Sequence, residues 1–148
     1  MLTGLIDTNL LIYLYDKGSP EKSKKAKLVL GKLDQHSRGC LSVQNLSEFL
    51  SVSTRKLDPP LSFSEALDQV DLFIQMWPVL DLTTMIVLEA ARGCRDHGLS
   101  YYDAQIWATA RLNQVPVVFT EDFTDGQVLD GVRFVNPFSQ QFRLEDWF

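Results

Sequence analysis

Four carboxylates in this 148-residue chain stand where a fold can present chemistry: Asp7, Glu48, Asp103 and Asp122. Asp7 follows the apolar run Leu2 to Ile6, and a second run, Leu10, Leu11, Ile12 and Leu14, begins almost at once. A run this short and apolar reads as a strand buried on both faces, as in a parallel sheet. Open α/β sheets bind ligands beyond the carboxyl ends of their strands, which is where Asp7 falls. The other three acids each have a plain structural reading. Asp103 lies three residues after Ser100 and could be the acidic half of a capping box. Glu48 lies opposite the apolar stripe of its helix, where a solvated acid belongs. Asp122 sits in a polar turn, where acids are common. Asp7 resists such a reading, because a charge against a buried strand rarely lacks a partner.

If the four converge, Coulomb repulsion decides what else is needed. Two carboxylates about 4 Å apart repel by ~1 kcal/mol in water and ~4 kcal/mol at an effective dielectric of about 20. A cation, or carboxyls that retain protons, must offset several such pairs. Mg²⁺ and Mn²⁺ prefer oxygen ligands, and Mg²⁺ bridges carboxylates to phosphate. An acidic cluster with almost no histidine therefore points to metal-assisted phosphoryl chemistry.

The elements that position these acids follow from pattern and caps. Leu10 to Tyr15 predicts a short apolar helix that ends at Asp16 to Gly18. Ser19-Pro20-Glu21 starts a longer one: a cap, proline at the first helical position and an acid in the first turn. Its buried side is Ala26, Leu28, Val29, Leu30 and Leu33, and its basic side is Lys22, Lys24, Lys25 and Lys27. Gly39-Cys40-Leu41 is a short strand, after which Ser42 caps a helix carrying Val43, Leu46, Glu48, Phe49 and Leu50. Leu57 to Pro60 is a turn, and Ser62 with Glu65 forms a capping box for a helix to about Met76. Pro78 to Leu82 predicts a strand, and Thr84 to His97 a helix stopped by Gly98. Ser100 caps a helix from Tyr101 to Leu112, apolar around most of its girth and therefore buried. Val115 to Phe119 is the clearest strand, ending at Thr120-Glu121-Asp122; a glycine-containing loop leads to a last strand, Val132 to Val135. Strands alternating with helices indicate an α/β protein, a three-layer sandwich with a central parallel sheet of about five short strands flanked by helices.

Composition narrows the classes. The length and the absence of a dividing linker predict one domain over 1–148, and 45% hydrophobic with 22% charged residues excludes wholesale disorder. No apolar run approaches the ~18 to 20 residues of a membrane helix, and no secretory leader pattern opens the sequence, so a cytoplasmic protein is expected. Cys40 and Cys94 read as free thiols, and with His36 and His97 they make no zinc spacing. A net charge of −5 argues against a nucleic-acid partner, but an acidic cluster that binds a divalent cation is much less electronegative once the cation is bound.

Ile6-Asp7-Thr8-Asn9, Asn45-Leu46-Ser47-Glu48-Phe49, Leu99-Ser100-Tyr101-Tyr102-Asp103-Ala104 and Phe119-Thr120-Glu121-Asp122-Phe123 occur in an order that resembles PIN-domain ribonucleases, especially VapC-type toxins of toxin–antitoxin pairs. The closing segment Asp130 to Phe138 is similar to their final strand, and the likeness covers nearly the whole chain. The resemblance implies a parallel sheet with Asp7, Glu48, Asp103 and Asp122 at one edge around Mg²⁺ or Mn²⁺. Asp7 and Asp103 would be direct ligands, with Glu48 and Asp122 completing the shell or positioning the nucleophile. Many relatives place two aspartates two apart near the fourth position; here Asp122 and Asp125 are three apart, which makes Asp125 an accessory candidate. Thr8, Asn9 and Thr120 match polar supporting residues. The implied activity is endoribonuclease, on single-stranded or structured RNA, by a metal-activated water.

RNA binding also needs positive charge. Lys22, Lys24 and Lys25, with Arg92 and Arg95, are the candidates, although a lysine-rich helix is also an ordinary solvated face. The family implies a small antitoxin partner and a homodimer. The aromatic residues Phe138, Phe142, Trp147 and Phe148 could serve such a contact or fold back onto the core. Two rivals remain at this stage. A haloacid-dehalogenase-like phosphatase also begins with a strand and a nucleophilic aspartate, but it carries a second aspartate where this chain has Asn9. A non-catalytic RNA- or protein-binding PIN module would keep the scaffold without turnover.

Overall fold

The computed structural model describes residues 3–148; Leu2, in the first apolar run, lies outside the described residues. The chain runs β1 (Gly4–Ile6), α1 (Thr8–Tyr13), α2 (Pro20–Gln35), β2 (Gly39–Ser42), α3 (Val43–Ser53), α4 (Phe63–Met76), β3 (Val79–Leu80), α5 (Thr84–His97), α6 (Tyr101–Leu112), β4 (Val117–Phe119), β5 (Val128–Leu129) and β6 (Val132–Val135). One six-stranded sheet has the order β3-β2-β1-β4-β6-β5. All neighbours are parallel except β5, which pairs antiparallel with β6. The expected count of about five parallel strands thus becomes five parallel strands and a two-residue antiparallel edge.

Alternation along the central strands sorts the core into two layers. Ile6 of β1, with Val117 and Phe119 of β4, packs with Leu10, Leu11, Val29, Leu33, Phe49 and Phe73, from α1 to α4. Leu5 and Val118 face the other way, onto Ile86, Ala90, Ala104, Trp107 and Ala108 of α5 and α6. Helices on both faces are what an all-apolar parallel strand requires. Gly4 is needed where it stands, since a Cβ there would lie 2.4 Å from the Phe119 ring.

Local signals account for most boundaries. The Ser62–Glu65 capping box opens α4, and Gly98, at φ 68°, closes α5. Several expectations are corrected. α1 starts at Thr8, two residues early, because Asp7 caps it. Leu28 is 49% exposed and does not belong to the buried side of α2. Val43 is exposed too, so the buried face of α3 is set by Gln44, Asn45 and Phe49. Ser100 occupies the N-cap position of α6 without bonding a backbone amide; its hydroxyl donates to Asp103 Oδ2 at 2.9 Å. The aromatic tail folds back onto its own core, with Trp147 and Phe148 ring centroids 5.9 and 6.4 Å from Phe119.

Candidate active site

β1 and β4 are neighbours, so the residues that follow them emerge side by side at the carboxyl edge of the sheet. Asp7 continues the ladder by donating its amide to the Phe119 carbonyl at 3.0 Å. Its side chain is nearly sealed, 4% exposed. Oδ1 accepts the Thr8 amide at 2.8 Å and Oδ2 accepts the Thr120 hydroxyl at 2.8 Å. Burial pushes the Asp7 carboxyl up to about 7 despite those two hydrogen bonds, and the charges of Asp122 and Glu48 add to the rise.

The other acids are fixed by polar side chains from different elements. Glu48, on α3, accepts the Thr8 hydroxyl at Oε2 (3.0 Å) and the Gln44 amide at Oε1 (2.6 Å). Asp122 Oδ2 accepts Asn9 Nδ2 at 3.1 Å, and the Asp122 amide donates to Thr120 Oγ1 at 3.0 Å. Partial burial raises the Asp122 carboxyl above its ordinary value, and Asp103, Glu121 and Glu48 raise it further against the Asn9 hydrogen bond. Asp103, half-buried in the first turn of α6, is held by Ser100. The four acids therefore sense one another's charge, directly or through Asp122. Asp125 turns away to accept the Asn136 amide at 2.9 Å and braces its loop.

Thr8, Asn9 and Thr120 all take part, and the wall contains residues that the apolar pattern did not reveal. Asn45, fully buried, accepts the Ser42 amide and hydroxyl at Oδ1 (2.9 and 2.8 Å). Its Nδ2 donates to Thr8 Oγ1 at 3.2 Å and reaches Asp7 Oδ1 at 3.5 Å. The serine-to-asparagine spacing of its capping box was the available signal. Gln44 and Gln105 are buried as well, and hydrophobic periodicity counts neither. Glu48 consequently lies beside this polar face rather than opposite the packed one.

The basic candidates are dispersed. Lys22 pairs with Glu121 at 2.9 Å and donates to Tyr13 Oη at 3.1 Å, next to Asp122 in sequence. Lys25 lies 5.4 Å from the Phe142 ring centroid. Arg92 pairs with buried Glu89 at 3.1 Å, and Arg95 pairs with Asp96 at 2.7 Å. Lys24 lines an open groove of about 1150 Å³ with Lys27, Leu14, Tyr15 and Pro59; none of the four acids lines it.

A divalent ion can be tested against these residues. Among the described residues, no three His, Cys, Asp or Glu side chains are disposed as a ready-made cage. A closed structural site is therefore not formed among the described residues, whereas Mg²⁺ needs only one or two carboxylates together with water. Asn9, whose Nδ2 donates to Thr120 and Asp122, has its Oδ1 buried without a hydrogen-bond partner, an oxygen that a hard cation or its water could satisfy. The donors are all oxygen, and the buried Asp7 gains from a neighbouring positive charge. The residues fit.

Solved structures with the same fold include a toxin–antitoxin complex from Klebsiella pneumoniae, with TM-score 0.66 and 19% identity over 92% of this chain and 98% of that one. A DNA-bound VapBC from Salmonella typhimurium is similar at TM-score 0.65 and 24% identity, over 90% and 97%. A sarcin–ricin-loop-cleaving VapC toxin from Mycobacterium tuberculosis is similar at TM-score 0.65 and 19% identity, over 88% and 99%. No curated protein sequence matches the chain. A family model described as the PIN domain matches residues 4–124, so the chain belongs to the PIN-domain family.

Proposed function

We propose that this protein is a divalent-metal-dependent endoribonuclease, the toxin of a toxin–antitoxin pair. The observation that carries this reading is the buried Asp7, coupled in charge to Asp122 and Glu48 at the carboxyl edge of a parallel sheet. Proteins with the same fold support the proposed substrate class and partner: one is described as a sarcin–ricin-loop-cleaving toxin, and others are toxin–antitoxin complexes. A small antitoxin, a second copy of the chain and a cytoplasmic setting belong to the same proposal. No helix among the described residues is long and apolar enough to cross a membrane.

Bound Mg²⁺ or Mn²⁺ supplies a water of lowered pKa and screens the charge of the scissile phosphate. The chain's own residues do the rest. Asp7 and Asp103 are the proposed ligands, and Thr8 and Thr120 hold Asp7 so that its lone pairs do not wander. Glu48 and Asp122, each restrained by an amide donor, would complete the metal's shell or position the attacking water, and one of the two accepts that water's proton. Asn9 ties Asp122 to Thr120, the residue that also holds Asp7, and keeps its own Oδ1 unpartnered.

The phosphatase rival needs Asp7 as an open nucleophile. Its acid–base step also needs a second carboxylate two residues on, where this chain has Asn9, an amide that donates to Thr120 and Asp122 and cannot act as a general acid or base. The test is cleavage of RNA by wild type and Asp7→Asn with Mg²⁺, Mn²⁺ or excess chelator. Wild-type cleavage that chelator stops and Asp7→Asn lacks supports the nuclease. Equal cleavage by both proteins, or indifference to chelator, rejects it; RNA retained without cleavage marks a binding module.

A further inference from the structure

We propose that Gln44, held in one orientation by Gln105, is the positioning residue that sets Glu48 relative to Asp103 and thereby governs divalent-ion binding at the acidic edge. The inference rests on the metal-nuclease reading above. Gln44 is 9% exposed and lies one helical turn before Glu48 on α3. Its Nε2 donates to Glu48 Oε1 at 2.6 Å and to the Tyr102 carbonyl at 3.0 Å. Its Oε1 accepts Gln105 Nε2 at 2.7 Å, and Gln105 is 5% exposed. The orientation of the Gln44 amide is forced by chemistry. A carboxylate and a carbonyl only accept, so the nitrogen must face both and the oxygen must face the Gln105 donor.

Tyr102 and Gln105 bracket Asp103 in the first turns of α6. α3 packs in one layer of the core and α6 in the other, so a single buried amide spans the two layers beside the site. It also restrains the acid that most needs it. Glu48 stands among like charges and is only half-buried, so a free carboxylate there would turn toward solvent. A lysine or arginine at position 44 would hold Glu48 equally well but neutralise it. An uncharged amide donor fixes the carboxylate and leaves its charge for the cation.

The test is Mn²⁺ affinity of the full chain without RNA, read by electron paramagnetic resonance, together with melting curves and RNA-cleavage kinetics. Gln44→Leu should bind Mn²⁺ about tenfold more weakly, as expected for loss of a partner behind a ligand. Its kcat should fall with little change in KM. Gln105→Leu, which removes the donor that anchors the Gln44 oxygen but leaves its nitrogen on two acceptors, should show a smaller loss of the same sign. The double variant should bind no more weakly than Gln44→Leu, because the two act as one unit. A folded Gln44→Leu with wild-type Mn²⁺ affinity overturns the proposal and leaves the nuclease reading standing. If Gln44→Leu does not fold, Gln105→Leu decides: unchanged affinity overturns the proposal and weakened affinity supports it. Wild type that binds Mn²⁺ but cuts no RNA, with both variants weakened, overturns the nuclease reading and supports the positioning role.

Discussion

Thr120 joins the first acid to the fourth: its hydroxyl donates to Asp7 Oδ2 at 2.8 Å while its oxygen accepts the Asp122 amide at 3.0 Å. One buried hydroxyl thus sets two carboxylates that are far apart in sequence. Thr120→Val keeps the shape and removes these bonds and the one from Asn9 Nδ2 at 3.3 Å, leaving a half-buried amide and a buried carboxylate oxygen short of a partner. The expected cost is about 1–3 kcal/mol in urea unfolding. RNA cleavage should fall by more than the folded fraction does, because Asp7 and Asp122 both lose their alignment.

Asp7 also makes the stability of the metal-free protein depend on pH. Burial raises its carboxyl from 3.8 to about 7. The folded state then holds a proton that the unfolded chain releases, so the contribution is complete below ~4 and lost as pH rises through about 7. Melting temperature without metal should therefore fall between about pH 4 and about pH 7 and level off above that. Asp7→Asn should flatten that fall, and Mg²⁺ at the higher pH should raise the melting temperature of wild type alone. Equal pH dependence in the two proteins would assign the effect to other groups.

Gly93 lets α5 and α6 approach closely, since a Cβ there would lie 2.7 Å from Cζ3 of Trp107, itself 1% exposed. Gly93→Ala should lose about 1–3 kcal/mol through overpacking. Gly31→Ala, on a helix with open space around it, should be neutral or slightly stabilising in the same urea titration.

The tail contributes to the fold as well. Trp147 sits edge-on to Phe119 at 5.9 Å, and Arg38 donates to the Trp147 carbonyl. Trp147→Ala removes a half-buried indole from the α2-side layer and should cost about 2 kcal/mol, less than a fully buried aromatic. Its oligomeric state by light scattering should match that of wild type, because the ring faces its own core.

Features governed by neighbouring residues were legible in the sequence. The Ser62–Glu65 box, the glycine after His97 and the aspartate after the first strand are each set by a few adjacent side chains. The buried polar face of α3 was hidden because periodicity registers apolar residues, and Gln44 and Asn45 are buried for their hydrogen bonds. The β5–β6 hairpin carries a local signal: Asp130-Gly131, both at positive φ (47° and 85°), is the pair a tight two-residue hairpin turn favours. Strand order was out of reach, since nothing local in Val117–Phe119 states that its neighbours are β1 and β6.

That strand order has a consequence for the protein during its synthesis. β1 is made first yet lies between β2 and β4, and β4 is made more than a hundred residues later. A nascent chain that has emerged only as far as α5 carries Asp7 and Glu48 but lacks Asp103, Thr120 and Asp122. Its first strand has an open hydrogen-bonding edge, and pairing across so long a separation is slow to form. The acidic edge therefore comes into being only after the chain through Asp122 has been made and β4 has paired beside β1, so a partly made chain carries its first acid on an unfinished sheet.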